Sequence, residues 1–187
     1  MLARYFHTTT HSTLVRLFGI ASFFALTALT ASLKIPLPFT PVPLTLQLVV
    51  VLLAGLTLGA KDGAISQLVF LTAVAVGLPV GTSSLGLASP TLGYIVGFVV
   101  AAFIVGYLGK KSIGHSRTLL VMASLAGVIV IHLCGMFWLT FAFLDGDLAR
   151  GWALGVSPFI LVDGAKAIIA VGIVEGTRGV LGRITDE

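Results

Sequence analysis

The segment Lys34-Ile35-Pro36-Leu37-Pro38-Phe39-Thr40-Pro41-Val42-Pro43 holds four of the seven prolines in the chain and divides two strongly apolar stretches. Proline lacks the amide donor that a helix needs and clashes with the preceding turn, so neither flanking stretch can continue through this segment. Upstream, residues 14–33 are long and apolar enough for a first membrane span, and downstream 44–60 reads as a second. Arg4 and Arg16 precede the first stretch, as in a signal peptide, but its length and the further spans after it favour a retained helix.

The same reading extends along the chain. Lys61 and Asp62 form a polar turn, 63–80 reads as a third span, and an uncharged Gly/Ser-rich loop runs from Gly81 to Pro90. Spans four to six cover 91–109, 118–143 and 156–179, separated by the basic loop Lys110 to Arg117 and the exit loop Asp145 to Gly151. Composition agrees: 57% of the 187 residues are hydrophobic and 10% are charged, too little polar surface to cover a water-soluble core. The expectation is an all-α integral membrane protein of six transmembrane helices forming one membrane domain over 1–187.

Lys and Arg counts set the orientation. With the N-terminus in the cytoplasm, inner segments hold Arg4, Arg16, Lys61, Lys110, Lys111, Arg117, Arg178 and Arg183, while outer segments hold only Lys34 and Arg150. Eight against two puts both termini in the cytoplasm and places the proline run, the Gly/Ser loop and the 144–155 loop outside. The net charge of +4 is therefore a topology signal and not a nucleic-acid footprint. Trp152 suits the outer aromatic belt.

The strongest chemical signal is Ser157-Pro158-Phe159-Ile160-Leu161-Val162-Asp163-Gly164-Ala165-Lys166. Asp163 and Lys166 are three apart and share a helix face. From a helix start near residue 156 they would lie roughly 10–15 Å down the axis, where unpaired ionisable groups cost several kcal/mol. They read either as an ion pair locking the sixth helix to a neighbour or as the polar floor of a ligand pocket under the uncharged outer loops. Glu175 and Arg178 repeat the spacing and read as an interfacial pair. Gln47, at the outer start of the second span, would hydrogen-bond a neutral amide-like ligand or tie two helices. Gln67 reads as helix-packing glue. Tyr94, in Ser89-Pro90-Thr91-Leu92-Gly93-Tyr94, suits a half-wet pocket or the interfacial belt. His132 reads as a hydrogen-bonded core residue. Ala21 and Ala25 would allow close approach of another helix.

No catalytic constellation appears: no Walker phosphate loop, no zincin pair and no nucleophile elbow. The lone Cys134 rules out an intrachain disulfide and a cysteine metal cluster, and no metal site is expected. The sequence reads as a carrier and not an enzyme.

The run Ile35 to Gln47 resembles the signature of the BioY family, as do Ala54-Gly55-Leu56 with Gly59, Gly77-Leu78-Pro79-Val80, Ser89 to Tyr94, and Ser157-Pro158-Phe159-Ile160 ahead of Asp163 and Lys166. The resemblance covers nearly the whole chain. It implies a six-helix bundle of the S-component type, the substrate-binding subunit of an energy-coupling factor (ECF) transporter in the bacterial inner membrane. The implied ligand is biotin, held near the outer face under the loops between helices 1–2 and 3–4. The implied partners are a transmembrane coupling subunit and two ATPases, which alone use ATP; no cofactor is implied. Solitary function, or uptake of another small vitamin, are the alternative readings. The implied ligand contacts are Thr45, Gln47, Tyr94, Asp163 and Lys166, with Ser83 or Ser84 standing where some relatives have asparagine. The implied coupling face is Ala21, Ala25, Ala28 and Ala31. Two departures bear on the carboxylate of biotin: Leu92-Gly93 replaces a Gly-Gly pair, and Ile95 stands where some members carry arginine.

Overall fold

The computed structural model describes residues 13–80, 88–112 and 116–185. Helix α1 (Thr13–Ser32) leads into a two-residue strand, β1 (Lys34–Ile35), which pairs antiparallel with β2 (Leu44–Thr45), Lys34 opposite Thr45 and Ile35 opposite Leu44. The proline segment is thus the tip of a small hairpin. Prolines that exclude a helix leave extended backbone, and the short pairing satisfies its peptide groups where the chain turns back. Then follow α2 (Gln47–Ala75), α3 (Leu92–Ser112), α4 (Arg117–Phe143), the short α5 (Leu148–Gly155) and α6 (Ile160–Thr185).

Helix α2 is broken at Gly59, whose φ of 82° and ψ of −179° lie in a region open essentially to glycine alone. The chain reverses there. A Cβ on Gly63 would come 2.9 Å from the Ala54 carbonyl oxygen, so the two arms, 47–58 and 60–75, lie against each other. They correspond to the second and third apolar stretches, and with α1, α3, α4 and α6 they make six apolar helical segments. The arms are only about 18 Å and 24 Å long at 1.5 Å per residue. Helix α5 sits within the expected exit loop and bends 51° from α6, which therefore starts at Ile160 and not near 156.

Packing grades from centre to edge. Within their apolar windows α3 buries 61% and α1 only 11%, so α1 is the peripheral helix. The centre holds Leu52, Phe70, Val105 and Ile131, from both arms of α2, α3 and α4. Small residues set the closest approach: a Cβ on Gly55 would meet the Ala102 carbonyl oxygen at 2.7 Å. Helix α1 is held by two polar clasps. In the buried one, Thr27 Oγ1 donates to Phe23 O at 2.8 Å and accepts from Gln67 Nε2 at 3.2 Å. Gln67 is thus the helix-packing bond its sequence context suggests. At the other, Arg16 forks onto Asp62, with Nη2 2.7 Å from Oδ1 and Nε 2.9 Å from Oδ2. Glu175 interacts favourably with Arg178, as the i,i+3 spacing suggests, and also reaches beyond its own helix. Helix packing brings it 3.4 Å from Arg117 Nε on α4.

Candidate functional site

The later start of α6 moves its charged pair. Counted from Ile160, Asp163 lies about 5 Å and Lys166 about 9 Å down the helix, closer to its N-terminal end than the sequence estimate. Asp163 occupies the first turn, where the helix dipole favours a carboxylate. Both side chains are buried. Lys166 Nζ donates to Asp163 Oδ1 at 2.7 Å and to the Thr45 carbonyl at 2.7 Å. The pair therefore ties α6 to β2, as the ion-pair reading requires, and also faces a cavity, as the pocket reading requires. Two strong bonds to one ammonium offset the cost of burying it.

Asp163 Oδ2 is left for other partners. His132 Nε2 on α4 lies 3.3 Å from it but is misaligned for a hydrogen bond. Neither ring nitrogen of His132 has a hydrogen-bond partner among the described residues. His132 is thus not the satisfied core histidine its isolated place in an apolar span suggests. Its ring meets Tyr94 and Phe159 edge-on, each at a centroid distance of 6.5 Å.

These groups border a cavity of about 360 Å³, within the range of small-molecule sites. The hairpin covers one side with Pro36, Val42 and Leu44, while Tyr94, Ile95 and Phe98 of α3 form a wall. Gln47, the first residue of α2, is buried at the edge. Its Oε1 accepts from Thr45 Oγ1 at 3.4 Å, and its Nε2 has no partner among the described residues. Tyr94 is in the wall but its hydroxyl is engaged, donating to Gly155 O at 2.7 Å. Its ring lies against Gly135, where a side chain would collide with it. Thr40 at the hairpin tip donates to Leu154 O at 2.7 Å. The last carbonyls of α5 thus hold both the covering hairpin and the wall helix.

The structure therefore brings Thr45, Gln47, Tyr94, Asp163 and Lys166 around one cavity. Ser83 and Ser84 lie outside the described residues. The four alanines of α1 do not share one outward face: Ala21 and Ala25 are exposed, Ala28 is half-buried, and Ala31 is buried and borders the cavity. Six residues carry a helix position about 120° further round, enough to turn Ala31 away from the face of Ala25. His132, Phe159 and Ile95 also line the cavity. The only sequence signal for His132 was a lone polar ring in an apolar span; Phe159 stood in the Ser157–Ile160 motif and Ile95 at a departure from the family pattern, and neither was read as a contact because apolar residues are ordinary in such helices.

A family profile described as the BioY family matches residues 7–183. A protein of Pyrococcus horikoshii described as a probable biotin transporter BioY is 40% identical over 164 residues, 86% of this chain and 94% of its own length. The biotin transporter BioY of Rhizobium etli is 38% identical over 73% of this chain and 78% of its own. Among solved structures, the S-component for biotin from an ECF-type ABC transporter superposes with a TM-score of 0.81 at 30% identity, covering 91% of this chain and 94% of that one. With a match to nearly the whole sequence and a shared arrangement of helices, the chain belongs to the BioY family.

Proposed function

We propose that this protein is the biotin-binding subunit of an ECF-type transporter in the cytoplasmic membrane, with both termini in the cytoplasm. The observation that carries the reading is the buried Asp163–Lys166 pair bordering a largely apolar cavity at which the Gln47 amide nitrogen has no partner among the described residues. Biotin offers a cyclic urea with two N–H donors and one carbonyl, an apolar bicycle and a carboxylate tail. Asp163 Oδ2 accepts from the urea N–H groups, because Oδ1 is held by Lys166. Two protons of the Lys166 ammonium are engaged, and the third, with the Gln47 amide, serves the urea oxygen. The rings pack against Tyr94, Phe98 and Phe159. A ligand without the urea leaves these buried groups unpaired, which gives selectivity.

Biotin enters from outside, and the 34–43 and 81–90 segments close over it. Ser83 or Ser84 completes the polar contacts from the second of these. A transmembrane coupling subunit docks on α1, where Ala21 and Ala25 permit close approach, and ATP hydrolysis by two partner ATPases reorients the subunit to release biotin inside. The low burial of α1 supports this placement.

Calorimetric titration of biotin into detergent-purified protein tests the reading. Saturable binding that is lost in Asp163→Ala, with the variant still unfolding cooperatively, is the expected result. Absence of both heat and thermal stabilisation in folded wild-type protein would remove biotin as the ligand. Equal binding by the variant would leave the ligand and remove the site.

A further inference from the structure

Biotin's carboxylate needs a counter-charge or a set of donors, and the cavity narrows the choice. Among the described residues two cations border it, Lys34 and Lys166. Lys166 lies at the floor and is held by Asp163 and the Thr45 carbonyl, so its charge is already balanced. At the position where the family resemblance leads one to expect an arginine beside Tyr94, this chain has Ile95, which is 2% exposed and forms apolar wall. The 81–88 loop carries no charged residue. Lys34 remains. It is exposed, stands directly across from Thr45 in the β1–β2 register, and borders the same cavity.

We infer that Lys34 is the carboxylate-recognising residue of this transporter, an ammonium on the covering hairpin that replaces a cation on α3. The inference rests on the biotin reading. Its register explains the geometry: the strand partner of Lys34 is the residue whose carbonyl holds Lys166, so one two-residue ladder carries the group for the tail at one position and anchors the group for the urea at the other. The ligand then spans from the α6 floor to the hairpin. A solvent-exposed ammonium also steers anionic ligands from outside, where the only other cation in the connecting segments is Arg150.

The test compares biotin with biotinamide, which keeps the rings and chain but has no charge, on wild-type protein, Lys34→Gln and Lys34→Arg. Lys34→Gln is expected to weaken biotin about five- to tenfold, in keeping with a partly solvated charge-assisted contact, and to leave biotinamide within about twofold. Lys34→Arg keeps the charge and is expected to bind biotin within about threefold of wild type. The wild-type preference for biotin over biotinamide should shrink as salt is raised. Unchanged biotin affinity in Lys34→Gln, or an equal loss for both ligands, overturns the assignment to Lys34 and leaves the biotin reading standing. Wild-type protein that binds neither ligand removes the biotin reading itself.

Discussion

Asp163 and Lys166 form a buried pair that ties α6 to β2 and that, in the proposed function, also meets the ligand. Removing one member of a buried ion pair leaves the other uncompensated, which costs about 3–5 kcal/mol, whereas apolar replacement of both is often neutral. Lys166→Met alone is therefore expected to lower the thermal midpoint markedly in detergent, and Asp163→Leu with Lys166→Met to recover most of it, as followed by differential scanning fluorimetry. The double variant should still fail to bind biotin, since the urea then meets no acceptor. A stable double variant that binds biotin would show the pair to be structural only. The i,i+3 spacing of this pair was legible in the sequence, because helix geometry alone dictates it. His132 was not, because its closeness to Asp163 arises from α4 packing on α6 across 31 residues of chain.

Among the elements, α2 breaks where the second apolar stretch ends, near Gly59. Lys61 and Asp62 mark the polar turn in the sequence, and the structure makes the reversal at Gly59 itself. Its backbone angles exclude side-chain-bearing residues, although a Cβ there would meet nothing within 4 Å. Gly59→Ala is therefore expected to destabilise through backbone strain alone, by about 1–3 kcal/mol, in chemical or thermal unfolding. An unfolding midpoint equal to wild type would mean that the turn relaxes without strain. The α5 segment is the other element hidden in a loop. Its eight residues are too few to cross a bilayer, yet its C-terminal carbonyls receive Thr40 and Tyr94 and so position the hairpin over the cavity.

At the level of the whole molecule, the positively charged segments and the packing agree. Arg16 meets Asp62, and Arg117 meets Glu175, which joins α1 to the α2 turn and α4 to α6 through residues assigned to the same side. The zigzag of six segments then puts the hairpin and α5 opposite. In a Cys134→Ser background, a membrane-impermeant maleimide added to intact cells is expected to label Arg150→Cys and to leave Lys110→Cys unlabelled until the membrane is permeabilised. The reverse pattern would invert the proposed topology and place the cavity mouth in the cytoplasm.

The sequence by itself determined the membrane environment, the number of apolar segments, the side bias of the cations and the residues Thr45, Gln47, Tyr94, Asp163 and Lys166 as a candidate site. All of these follow from local composition, helix spacing and a recognisable series of motifs. Only the tertiary structure decided that Tyr94 has its hydroxyl engaged by Gly155, that Ala31 faces the cavity and not a partner, and that His132 and Lys34 belong to the same cavity as Asp163. Those facts depend on the rotation and crossing of helices. They are set by glycine-mediated close approach and a few buried hydrogen bonds between residues distant in the chain, and no short-range pattern encodes them.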